Sequence, residues 1–110
     1  MDAHHENFEA RREAIEKEQE QAKMLSHIFK ILADETRLRI LLALYDHPHR
    51  VMQLSASLGL MQSTVSHQLS LLKREKLVVC QRVEKSVIYS LADEHIFEML
   101  KPAITHVCEC

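Results

Sequence analysis

Residues 54–73, LSASLGLMQSTVSHQLSLLK, constrain the fold more than any other part of the chain. In their middle lies Gly59, the single glycine among 110 residues. Glycine reaches positive φ without steric cost, so a lone glycine between two apolar runs marks a tight turn. Before it, Leu54 and Leu58 are spaced i, i+4; after it, Val65, Leu69 and Leu72 are spaced i, i+4, i+7. Each set lays one apolar stripe along a helix, so the stretch reads as helix, turn, helix. Beside its stripe the second helix carries Gln62, Ser63, Thr64, Ser66, His67 and Gln68. These side chains are short, nearly uncharged, and able to donate or accept hydrogen bonds. A helix presenting such groups near its start can lie in a DNA major groove and read base edges.

The chain length fits one domain. A domain this small buries a modest core and gains from a dimer interface. Apolar residues make up 46% of the chain, a globular value. No apolar run approaches the ~20 residues of a membrane span. The opening MDAHHENFEARRE lacks an apolar signal core, which predicts a cytoplasmic protein without a membrane partner. Three cysteines, two of them near the end, do not form a secreted disulfide framework and are expected to stay thiols. The net charge of −2 disfavours nucleic acid only on average. Residues 1–35 hold nine acids against five bases, whereas residues 61–91 hold Lys73, Arg74, Lys76, Arg82 and Lys85 against Glu75 and Glu84. Such a local basic region is what phosphate contacts require.

Residues 1–6 are polar and expected to be disordered, with His4 and His5 solvated. Residues 7–32 form an N-terminal helical region. Its first part is rich in Glu, Arg, Lys, Gln and Ala, with Phe8, Ile15 and Ala22 at heptad spacing. That thin stripe fits either a helix lying across a second subunit or a solvated helix. Leu25, Ile28, Phe29 and Leu32 extend it as a stronger apolar face. Asp34 is placed to cap the next helix, TRLRILLALYD, whose Leu38, Ile40, Leu41, Leu42 and Leu44 mark it as the central core helix. Asp46-His47-Pro48-His49 is a loop in which both histidines are expected to face solvent.

The helix–turn–helix spans 51–73. After Lys76 the period changes: LVVCQRV (77–83) and SVIYSL (86–91) are rich in β-branched residues and flank Glu84-Lys85. They predict a two-stranded hairpin over 77–91, with a turn that lacks the usual glycine. Helix–turn–helix plus hairpin is a winged helix. The predicted fold is therefore mainly α with a two-stranded β-wing, in which Arg82 and Lys85 can touch phosphate or the minor groove, and Lys73 of the second helix is a further DNA contact. Cys80, inside a strand, is expected to be a buried small hydrophobe.

The last stretch, 93–110, reads as a helix capped by Asp93, with Ile96, Met99, Leu100, Ala103 and Val107 on its apolar face. Pro102 lies inside it and removes one backbone hydrogen bond. Asp93, His95, His106 and Glu109 are candidate metal ligands. His95 and His106 are eleven residues apart, so they share an edge within ~20° yet lie ~16 Å apart along the axis. Zinc–ligand bonds are only ~2 Å, so one helix cannot close both around one ion. Two copies packed antiparallel can, Asp93 and His95 of one facing His106 and Glu109 of the other. The resulting N₂O₂ set suits zinc or cobalt. Cys110, four residues beyond His106, is a rival fourth ligand.

With these segments read, the chain resembles the ArsR/SmtB family of metal-sensing transcriptional repressors over residues 25–110. The resemblance rests on FKILADETRLRILLAL (29–44), STVSHQLSLLK (63–73), VIYSLADEHI (87–96) and HVCEC (106–110). It implies a homodimer built from the first and last helices. It also implies an inverted-repeat operator, read by Ser63, Val65, Ser66 and His67. In the zinc-sensing subgroup it resembles, Asp-x-His from one subunit and His-x-x-Glu from the other hold the ion, positions filled by Asp93, His95, His106 and Glu109. The metal-free dimer would then repress, and Zn(II), or else Co(II), Ni(II) or Cd(II), would release it from DNA. The family's cysteine pair at the start of the helix–turn–helix is absent here, where the chain reads Arg50-Val51-Met52-Gln53-Leu54. That departure favours a harder ion. The alternative on the same fold is a thiol-responsive repressor using Cys108 and Cys110. No phosphate-binding glycine loop and no paired nucleophile and base point to an enzyme.

Overall fold

A computed structural model of the chain describes residues 3–108, with side chains from Asn7 onward. The elements run α1 (Ala3–Leu32), α2 (Glu35–Asp46), α3 (Val51–Leu58), α4 (Gln62–Arg74), β1 (Val78–Val83), β2 (Ser86–Leu91) and α5 (Glu94–Cys108). They fall into two compact units, residues 1–33 and 34–110. No helix among the described residues is long and apolar enough to cross a membrane.

The first unit is α1, a helix of 30 residues. It begins at Ala3, earlier than the expected start at 7. Residues 3–6 contain no glycine or proline, and extending a nucleated helix adds one hydrogen bond per residue fixed. Phe8 and Ile15 are exposed, as are Leu25 and Phe29 of the stronger apolar face. Ile28 is half-buried, while Ile31 and Leu32 are buried. The Arg12 guanidinium lies 5.9 Å from the centre of the Phe8 ring, a contact between side chains four residues apart.

The second unit is built around α2. Asp34 caps it as expected, its Oδ2 accepting from the Arg37 backbone N–H at 3.0 Å. Ile40, Leu41 and Leu44 are buried and meet Leu54 of α3, Val65, Leu69 and Leu72 of α4, and Leu77, Val78, Leu91 and Leu100 in one core. Leu42 departs from the expected set. It is 43% exposed and, with the half-buried Leu38, lines an apolar groove closed by Leu100, Ala103, Ile104 and Val107 of α5. A helix crowded with leucines still turns only one stripe inward, and Leu42 lies off the stripe through Ile40, Leu41 and Leu44. Tyr45 and Phe97 join α2 to α5, their ring centroids 5.6 Å apart.

Gly59 ends α3 in the left-handed conformation, φ 66° and ψ 36°. A Cβ there would meet nothing within 4 Å, so the requirement is torsional and not one of space. Gly59→Ala should therefore cost about 1 kcal/mol, read as a lower denaturation midpoint with an unchanged m-value.

β1 and β2 pair antiparallel from Val78↔Leu91 to Val83↔Ser86, which is the expected hairpin. Its turn places Glu84 at φ 58°, so a non-glycine residue takes the left-handed position. Cys80 is half-buried where full burial was expected, because a two-stranded sheet covers little of itself. His49 is the larger correction. It is 8% exposed, not solvated like His47, and its backbone exchanges hydrogen bonds with Tyr89 of β2 (N to O 3.0 Å and O to N 2.8 Å). Its ring stacks on that of His47 with centroids 4.0 Å apart, and its Nδ1 lies 2.7 Å from the His47 carbonyl. The loop thus docks on the hairpin, a long-range pairing that leaves no local pattern in the chain.

Candidate nucleic-acid interface and metal-ligand residues

The apolar stripe of α4 sets what its other faces can do. Val65, Leu69 and Leu72 are wholly buried, which turns Gln62, Ser63, Ser66 and His67 outward. Thr64 and Gln68 are half-buried along one edge of the stripe. Val65 cannot be a base reader: with 0% exposure its methyls support the helix from inside, which corrects the role carried over from the resemblance. Ser70 was missed. It is exposed, and its spacing of seven from Ser63 and three from His67 puts it on the same outward face.

Gln68 is tied down. Its Oε1 accepts from Arg37 Nε at 2.9 Å, linking α4 to the first turn of α2. A second α2 arginine, Arg39, donates to the Leu58 carbonyl at the end of α3. In the turn, Ser55 Oγ donates to the Leu60 carbonyl and the Leu60 N–H returns to the Ser55 carbonyl at 3.1 Å. The two helices are therefore fixed by polar contacts as well as by the core. Lys73 at the end of α4, and Arg82 and Lys85 on the hairpin, are exposed, so all three cations can reach a polyanion.

Asp93 Oδ1 accepts from the His95 backbone N–H at 2.8 Å, the expected cap of α5. The same oxygen lies 3.3 Å from His95 Nδ1, and both side chains are well exposed. The helix continues through Pro102 to Cys108, so His106 stands on α5 near its far end, exposed. Among the described residues no three of His, Cys, Asp or Glu gather into a metal-holding group. Asp93 and His95 are brought together; His106 is not brought to them, as the helical rise requires. Glu109 and Cys110 lie outside the described residues. Cys108 is an exposed thiol.

A model of the bacterial regulatory protein, arsR family, matches residues 34–79, which run from the cap of α2 into β1. The chain is 38% identical to the transcriptional repressor SmtB homolog of Synechocystis over 82% of its length and 68% of that protein's. It is 40% identical to the HTH-type transcriptional regulator NmtR of Mycobacterium tuberculosis over 77% of its length and 71% of that protein's. The solved structure of the transcriptional regulator HlyU of Vibrio vulnificus superposes with a TM-score of 0.71 at 32% identity, covering 91% of this chain and 99% of that one. These three are regulators of transcription and not enzymes. A winged helix–turn–helix with an outward polar face on its second helix, matched at this identity over most of its length, belongs to the ArsR family of bacterial transcriptional regulators.

Proposed function

We propose that the chain is a repressor that holds operator DNA as a metal-free homodimer and is released by Zn(II) or a similar divalent ion, Co(II), Ni(II) or Cd(II). The observation that carries the metal half is the Asp93–His95 pair. Two ligands of a tetrahedral ion with bonds of ~2.0–2.1 Å sit about 3.4 Å apart. Asp93 Oδ1 and His95 Nδ1 are separated by 3.3 Å, so half of such a site is already spaced for the ion. A second copy packed antiparallel along α5 would add its own His106 and Glu109, with Cys110 as the rival to Glu109. When bound, the ion supplies a cross-link between the two copies. The apolar groove of Leu38, Leu42 and α5, and the exposed Phe8 and Ile15 of α1, are surfaces that a second copy would cover.

On DNA, each copy places α4 in one half-site of an inverted repeat, the half-sites about one helical turn apart. Ser63, Ser66 and His67 face the bases. Lys73, Arg82 and Lys85 take phosphates, which orient the protein without reading sequence. Release requires that the ion bind the free dimer more tightly than the DNA-bound one, and that difference is the coupling free energy.

The test is a zinc titration of the metal-free protein on the DNA upstream of its own gene, with the oligomeric state followed in parallel. Release near one ion per chain, from a protein that stays dimeric, is the expected result. Binding that ignores zinc would remove the metal half and move sensing to Cys108 and Cys110. Ser66→Ala should weaken operator binding about fivefold, the effect of losing one hydrogen bond. Unchanged affinity would take Ser66 out of the reading set.

A further inference from the structure

The place of Gln68 on α4 separates it from the base-facing residues. At about 100° per residue, it lies ~60° from Val65 at the centre of the buried stripe, ~100° from His67 and ~140° from Ser63. A helix seated in a major groove turns its outer face to the bases and its flanks to the sugar–phosphate walls. Gln68, half-buried, belongs to a flank.

Its amide orientation is also fixed. Arg37 Nε stands 2.9 Å from the amide oxygen, in a partly buried bond between residues thirty-one apart. A guanidinium has only donors, so the atom facing it is the carbonyl oxygen and the NH₂ group points the other way. Reading adenine takes both amide atoms at once, one accepting from N6 and one donating to N7. With its oxygen held on the Arg37 side, Gln68 turns its N–H donors outward, and from a flank of the helix the acceptors within their reach are phosphate oxygens of the groove wall.

We propose that Arg37 is a positioning residue for DNA binding: it holds the Gln68 amide with its N–H donors outward, where they take a backbone phosphate and not a base. This rests on the reading of α4 as the helix that enters the groove. Arg37 is itself held by the first turn of α2, where Asp34 caps its backbone N–H. The resulting contact favours duplex DNA of any sequence and fixes how α4 sits in the groove.

The experiment compares the full-length protein with Gln68→Ala, Gln68→Glu, Arg37→Ala and the double alanine variant. Each is titrated, well below its unfolding midpoint, against the DNA upstream of its own gene and a panel of single base-pair substitutions of it. Gln68→Ala should weaken binding roughly tenfold on every duplex, the effect of one bond to a charged acceptor, and leave the ranking of the panel unchanged. Gln68→Glu still accepts from Arg37 but turns a carboxylate toward the phosphate, so it should bind more weakly still. Arg37→Ala should weaken wild-type binding and add nothing in the Gln68→Ala background. A preference altered at one base pair by Gln68→Ala would overturn the proposal, because Gln68 would then read a base. An Arg37→Ala loss of equal size in both backgrounds would overturn it too, because Arg37 would act elsewhere. Unchanged affinity for Gln68→Ala beside a loss for Ser66→Ala would sink the role of Gln68 alone. A wild-type protein with no duplex preference would sink the reading of α4 with it.

Discussion

Leu69→Ala is expected to lower the unfolding free energy by about 3 kcal/mol, a large part of the 5–15 kcal/mol typical of a whole domain. Leu69 has no exposure and lies in the middle of the α4 stripe between Val65 and Leu72. Its truncation removes apolar burial and leaves a cavity that packed neighbours only partly fill. Because those neighbours include α2 and α3, the loss falls on the unit that orients α4. Met52→Ala is the control, since Met52 is 68% exposed and should lose well under half as much. Denaturant unfolding of both variants, at one fixed protein concentration so that dimerisation contributes equally, gives the comparison. Equal losses would mean that the stripe on α4 is not the core of the second unit.

His106→Ala should leave binding of the metal-free protein to its operator unchanged and abolish release by zinc at concentrations that release the wild type. The side chain is exposed on α5 and contributes nothing to the buried core, so its removal should spare the fold. Loss of a supporting residue around a metal site costs 10–100-fold in affinity, and loss of a ligand should cost at least ~100-fold. A zinc titration of release, together with direct measurement of bound zinc, separates failure to bind from failure to respond. Cys108→Ser should respond like the wild type. If His106→Ala still lets go of DNA at the wild-type zinc concentration, the ligand set is wrong. If Cys108→Ser also loses release by zinc, Cys108 belongs to the ligand set.

Helical periodicity carried most of the fold. Val65, Leu69 and Leu72 marked the buried side of α4, Gly59 marked its entry, and the change to β-branched residues after Lys76 marked the hairpin. Those signals are local: each depends on spacing along a few turns or on a torsion only glycine takes cheaply. The caps at Asp34 and Asp93 were readable for the same reason, since donor and acceptor are two or three residues apart.

Where a reading needed to know what lies opposite a residue, the chain was silent or misleading. A leucine-rich helix does not reveal which leucine faces a groove, so Leu42 was placed inside and lies at the surface. A polar loop does not reveal that it will dock on a strand, so His49 was placed in solvent and is buried against Tyr89. Val65 was given a reading role by resemblance although its own stripe buried it.

The amino-acid sequence by itself determined the helices, the turn, the wing and the edge of α5 that carries Asp93, His95 and His106, because periodicity and capping act between near neighbours. Only the tertiary structure decided that Gln68 is held by Arg37, that His49 joins the hairpin, and that Asp93 and His95 stand 3.3 Å apart. The bonds of Gln68 and His49 connect residues more than thirty positions apart, and no spacing rule along one chain encodes which distant surfaces will meet.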